Sequence, residues 1–187
     1  MTVNIMGFAA SLRQNSHNGK LFDVAADLLD AMEGVAVDRR TFAEFEMPLY
    51  NQDLQEQGFP EGAERLKAAV EAADALLIVT PEYNYSIPGN LKNALDWLSR
   101  YRPGPLRDKP LLLMSASPSM IGGNRGLWQT RIPLESMGAV VSPRMFGLSM
   151  AHQAFEDDGS LKSAELNEQL DGLLADFVEF ARALTRR

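Results

Sequence analysis

The chain has 187 residues, 45% of them hydrophobic, enough to bury the core of one domain spanning 1–187. Its net charge of −7 argues against nucleic acid or an anionic membrane as partner, since both are bound through basic surfaces. The absence of cysteine excludes disulfides, thiolate iron–sulfur ligation and a catalytic thiol, so any redox chemistry has to come from a bound cofactor.

The apolar run Val3 to Ala9 reads as a first strand. It lacks the basic start and the length of a secretory leader, and no segment approaches the roughly 20 apolar residues that span a bilayer, so the cytoplasm is the expected compartment. The loop Ala10 to Asn18 follows, gathering Ser11, Arg13, Ser16 and Asn18 ahead of a helix whose apolar residues Leu21, Phe22, Ala25, Leu28, Leu29 and Met32 repeat at helical spacing. Free N–H groups at a helix start, hydroxyls and one guanidinium make a phosphate cradle; the alternative is that Ser16 is only an N-cap and Arg13 a solvated charge. Neither Gly-Lys-Ser/Thr nor Gly-x-Gly-x-x-Gly occurs here, which excludes a P-loop and a dinucleotide fingerprint. His17 and His152 lie far apart in sequence without the spacing zinc needs, so each reads as a surface or capping residue and no metal site is expected.

Val35 to Thr41 alternates in polarity like an edge strand, and Glu46 to Pro60, with two prolines and many amides, reads as an unusually long surface loop. A helix is expected from about Glu61 to Ala72, then a strand at Ala75 to Val79 that is continuously apolar, as a strand covered on both faces should be. Pro81 stops that strand. Pro88 and Gly89 begin a helix with Leu91, Ala94, Leu95 and Leu98 on one face, and Glu82, Tyr83, Asn84, Tyr85 and Ser86 fill the junction between strand and helix. Such a group at a strand's C-terminal edge suits a flat, hydrogen-bonding ligand. Trp97 and Tyr101 near the end of that helix predict aromatic surface for a subunit contact, and Trp128 reads as a packing or interface residue. Leu111 to Met114 is the next strand, ending in Ser115-Ala116-Ser117-Pro118, and Leu166, Leu170, Leu173, Leu174, Phe177, Ala181 and Leu184 mark the last helix. Alternating strands and helices mean a parallel sheet with right-handed crossovers.

Ala10-Ser11-Leu12-Arg13 followed by Ser16 and Asn18, and the stretch from Pro81 through Asn84, Pro88, Gly89 and Asn93 to Trp97, resemble the NADPH-dependent FMN reductase family. Gly122 to Gly126 and Ala151 to Phe155 are similar to later segments of that family; Ala10 departs from the glycine that many members carry there. The resemblance implies a flavodoxin-like α/β three-layer sandwich with five parallel strands in the order 2-1-3-4-5, whose ligand crevice lies at the ends of strands one, three and four. It further implies that Ser11, Arg13, Ser16 and Asn18 hold the phosphate of FMN, that Pro81, Glu82, Tyr83 and Asn84 hold the isoalloxazine edge, and that Ser115, Ser117, Gly122 and Gly123 complete its other side. NADPH or NADH would supply hydride, the small-molecule acceptor would be a quinone, a free flavin, an azo compound or chromate, and the chain would form a homodimer or homotetramer. No general acid or base is nominated, since the hydride chemistry is the cofactor's; for Glu82 a proton-transfer role and a role accepting backbone hydrogen bonds both stay open. The rival is a flavodoxin-type electron carrier, against which stands the arginine in the phosphate loop. A receiver domain of the same fold lacks its acidic cluster here.

Overall fold

Where the branched apolar runs fall decides the sheet. In a computed structural model, which describes residues 2–185, β1 (Val3–Ala9), β2 (Val35–Thr41), β3 (Ala75–Val79) and β4 (Pro110–Ala116) are joined by α1 (His17–Asp30), α3 (Glu61–Ala72) and α4 (Gly89–Leu98). The short α2 (Gln52–Gln57) interrupts the connection from β2, which begins with a single 3₁₀ turn, Phe42–Phe45. After β4 come α5 (Asn124–Ser136), β5 (Val140–Val141), β6 (Phe146–Leu148) and α6 (Ala164–Thr185). All pairings are parallel, in the order β2-β1-β3-β4-β5, as expected.

Three expectations need correction. The fifth strand is broken: β5 pairs with Pro110 and Leu111 at one end of β4, and β6 pairs with Met114 to Ala116 at the other. Ser142 and Pro143 fall in the break, and proline has no N–H to give a ladder. Strand β4 is longer than its apolar run, because Ser115 stays in the ladder opposite Gly147. The segment Glu46 to Pro60 is not all loop, since Asn51 caps α2 by accepting the N–H of Asp53 at 2.8 Å.

The period-two alternation of the strands sorts side chains into two cores. Ile5, Leu77, Val79, Leu112 and Met114 pack against Leu21, Leu29, Leu174 and Phe177 of α1 and α6. Phe8, Leu76, Ile78, Leu111 and Leu113 pack against Leu66, Leu91, Leu95 and Leu127 of α3, α4 and α5. Burying one such large aliphatic side chain is worth about 2 kcal/mol, so two filled faces fix the register of every central strand. That register places Ala9, Val79 and Met114 in line, and the polar loops that follow them emerge along one edge. No described helix is long and apolar enough to cross a membrane.

Candidate active site

The first of these loops is shaped by its own polar groups. Ser16 is the N-cap of α1, its Oγ accepting the N–H of Gly19 at 2.9 Å, while Asn15 turns the chain through a left-handed conformation at φ 52°. The Ser16 hydroxyl proton remains free to donate, and the N–H groups of His17 and Asn18 have no carbonyl behind them in the helix. Ser11 Oγ accepts the N–H of Arg13 at 3.4 Å. The Arg13 guanidinium is exposed and, among the described residues, donates only to Asn15 O, at 3.3 Å.

Charge around this loop is local. A cavity of about 460 Å³ is lined by Ser11, Arg13, Ser16 and Lys20 from one side and by Arg39, Arg40 and Thr41 from the end of β2. Arg39 is paired with Asp27 and Asp30, and Arg40 with Asp38 and Glu44. Among the described residues neither Arg13 nor Lys20 has an acidic partner. Burial first, then Arg13, Lys20 and His152, hold the His17 imidazole below the usual histidine value of 6.5. These free donors and unpaired cations fit a phosphate dianion in a chain of net charge −7.

The second loop is a tight turn. Tyr83 and Ser86 exchange backbone hydrogen bonds of 3.1 and 3.0 Å, with Asn84 at φ 52° and Tyr85 at φ 63°, the paired positive φ of a type I′ turn. Pro81 is buried beneath it, whereas Tyr83, Asn84 and Tyr85 are exposed. Glu82 is half-buried, its Oε2 accepting the N–H of Gly126 at 2.8 Å, and the Arg125 guanidinium stacks over Tyr85 at 4.4 Å. Pro88 is the cap residue of α4 rather than part of its first turn.

The third loop is fastened to the segment after β6: Ser117 N–H donates to Leu148 O, Ala151 N–H to Ser117 O, and Met150 N–H to Ser119 O. Gly122 and Gly123 are buried at φ 65° and 80°, and a side chain at Gly122 would meet Gly147 O at 2.5 Å. Ser115 lies behind them, fully buried, its Oγ without a hydrogen-bond partner among the described residues and 2.0 Å from where a Cβ on Gly123 would be. The expected site residues of all three loops therefore converge on one edge, except that Ser115 and Asn18 face inward. Asn18 bridges β4 by two bonds to Ala116, which leaves one amide proton for the loop.

Composition concealed what α4 does. Asn93 and Trp97, taken with the ligand motif, anchor the chain after the 3₁₀ turn: Asn93 Nδ2 and Trp97 Nε1 donate to Pro48 O at 3.0 and 2.8 Å, and Asn93 Oδ1 accepts Tyr50 N–H at 2.8 Å. Asn90 Nδ2 reaches Ala10 O at 3.3 Å. The spacing 90, 93, 97 is a helix face, the one signal that could have shown this. Trp97 and Tyr101 are buried in their own chain, at 0% and 7% exposure, so they provide no aromatic surface for a subunit contact, whereas Trp128 on α5 is 59% exposed.

Comparison with known proteins finds likeness over most of the chain. Residues 3–153 match the family described as NADPH-dependent FMN reductase. The chain is 36% identical over 182 residues to a quinone reductase of Escherichia coli strain K12, covering 95% of each chain. It is 36% identical over 172 residues to an NAD(P)H-dependent FMN reductase of Pseudomonas aeruginosa, covering 89% of this chain and 90% of that one. Among solved structures it is similar to the flavoenzyme NAD(P)H:(acceptor) oxidoreductase FerB of Paracoccus denitrificans, with a TM-score of 0.81 at 30% identity, covering 97% of this chain and 98% of that one.

Proposed function

The chain belongs to the NADPH-dependent FMN reductase family, and from that premise we propose that its three converging loops hold FMN and pass hydride from NAD(P)H to a small-molecule acceptor of the quinone class. The chain is an oxidoreductase that depends on FMN and NAD(P)H. The observation that carries the assignment of residues is the first loop, where hydroxyl and amide donors and two unpaired cations meet beside the edge reached by the β3 and β4 loops.

In this reading Ser11, Arg13 and Ser16 bind the phosphate, Arg13 supplying charge and two donors in a plane, while Asn18 holds the loop against β4 and offers its remaining amide proton. Pro81, Glu82, Tyr83 and Asn84 support one edge of the ring, and Ser117, Gly122 and Gly123 the other; Ser115 lies buried behind Gly123. FMN accepts hydride and releases electrons when bound, so the protein's work is orientation and exclusion of water. Backbone N–H groups of these loops would favour the charge that reduction puts on a flavin held between them.

Residues 1–187 form one reductase unit in this reading. The cytoplasm is its place of work, because reduced nicotinamide donors are supplied there. The unit is a homodimer or homotetramer. Exposed Trp128 and Ile132 one helical turn apart on α5, with Tyr85 beside Arg125, give a self-complementary contact its apolar centre. Light scattering that finds only a 20.6 kDa species at working concentration overturns the oligomer alone.

The reading is tested on the purified protein. One FMN per chain is expected on denaturing release, with bleaching of the yellow flavin by NADPH or NADH and recovery on adding a quinone. Stoichiometric FAD would defeat the cofactor assignment, and a flavin that neither donor bleaches would favour the carrier reading.

A further inference from the structure

The geometry points to Glu82 as a positioning residue that caps helix α5 from another loop and so holds the two ring-binding loops in register. The inference rests on the flavin reading above and assigns the Glu82 side chain a role that reading leaves undefined.

An α-helix leaves the N–H groups of its first turn unpaired, and an N-cap side chain normally accepts one of them at the second or third position. Helix α5 has no such cap of its own, because its N-cap residue is Gly123. Gly123 cannot be replaced by a capping serine or aspartate: a Cβ there would come within 2.0 Å of Ser115 Oγ, and its φ is 80°. The acceptor comes instead from 44 residues earlier in the chain. Glu82 Oε2 takes the N–H of Gly126, the third helical residue, at 2.8 Å.

Gly126 is shaped for this contact. A Cβ on it would stand 2.9 Å from Glu82 Cβ and 3.1 Å from Glu82 Cα, so only glycine lets the first turn of α5 lie against the stem of Glu82. A carboxylate at this end of a helix also meets the positive end of the helix dipole. The stacking of Arg125 on Tyr85 adds a second tie between the same turn and the same helix start. The turn at 82–86 and the loop at 119–123 are thus one mechanical unit, although they belong to different βα connections. Glu82 acts through Gly126, with its carboxylate spent on the cap rather than on a proton.

The test compares the full-length parent with Glu82→Ala and Glu82→Gln. Amide exchange of Gly126, followed by NMR without flavin, reads the cap itself, and fluorescence-quenching titration with FMN reads its effect on the site. In Glu82→Ala the Gly126 amide should exchange about ten-fold faster, and FMN should bind about ten-fold more weakly. Glutamine keeps an acceptor oxygen, so Glu82→Gln should restore most of the protection and bind FMN within about three-fold of the parent. Thermal unfolding of each flavin-free variant identifies loss of affinity that comes from loss of fold. A Gly126 amide as protected in Glu82→Ala as in the parent overturns the inference, as does Glu82→Gln falling as far as Glu82→Ala. A parent that protects Gly126 and takes up no FMN overturns the flavin reading and the role of the cap within it; a parent that binds FMN no better than Glu82→Ala does overturns the cap's role alone.

Discussion

Asn18, on the first turn of α1, and Ala116, the last residue of β4, exchange two hydrogen bonds across 98 positions of sequence: Asn18 Oδ1 accepts Ala116 N–H at 2.9 Å and Asn18 Nδ2 donates to Ala116 O at 3.0 Å. The first loop is thereby riveted to the strand whose end carries the third loop. Asn18 is 5% exposed and Ala116 3%, so truncation would strand both backbone groups away from water. Asn18→Ala should destabilise the flavin-free protein by about 2 to 3 kcal/mol, read as a lower midpoint in urea at unchanged slope. Stability equal to the parent's would show that the bridge contributes nothing net.

Arg13 stands at the opposite extreme, exposed and, among the described residues, holding only Asn15 O. Removing it should leave the unfolding midpoint unchanged while FMN binding weakens roughly ten-fold to a hundred-fold, since a hydrogen bond to a charged group is worth about 1.5 to 3 kcal/mol. Arg13→Lys should recover part of the affinity, keeping the charge and losing the planar fork. A fluorescence-quenching titration in which Arg13→Ala binds as tightly as the parent would remove the phosphate from this loop.

Periodicity made the sheet legible. Ala75 to Val79 read as a strand buried on both faces, and α1, α4 and α6 carried their apolar stripes openly. What stayed hidden shares one physical cause, that a polar side chain does not declare its partner. Asn93 and Trp97 sat in a ligand-like motif and turn out to tether Pro48, a contact between residues 45 and 49 positions apart. Ser115 ended an apolar run as a loop residue would, yet its small size lets it stay in β4 under Gly123. Glu82 showed its charge and not its direction, because the acceptor it replaces is missing from a glycine far along the chain.

Ser115 invites a direct check. Its hydroxyl is buried without a partner, a cost of about 1 kcal/mol or more, and Gly123 separates it from the crevice. Ser115→Ala should therefore raise the thermal midpoint of the flavin-free protein and leave FMN affinity within about two-fold. Gly123→Ala should do the reverse. Its added methyl meets Ser115 in a left-handed backbone conformation, at a cost of about 2 kcal/mol or more, and FMN binding falls with the loop. A loss of FMN affinity in Ser115→Ala without a change in stability would put that hydroxyl in the site after all.

His17 gives the pH dependence its sign. Burial first, then Arg13, Lys20 and His152, hold its imidazole below 6.5 in the folded flavin-free protein, while its ring stacks on Phe155. Between the lowered folded value and 6.5 the unfolded chain binds more proton than the native one, so this residue makes stability fall as pH drops through that window and contributes no slope above it. A phosphate dianion in the loop opposes Arg13 and Lys20 and raises the imidazole again. Binding FMN should then draw a proton onto His17, and calorimetric titration at about pH 6 in buffers of different ionisation enthalpy should show more proton uptake by the parent than by His17→Phe. Phenylalanine keeps the stack on Phe155 and removes the titration, so the difference isolates the imidazole from the phosphate's own ionisation. Equal proton uptake in the two proteins would place the phosphate too far from His17 for the loop assignment to hold.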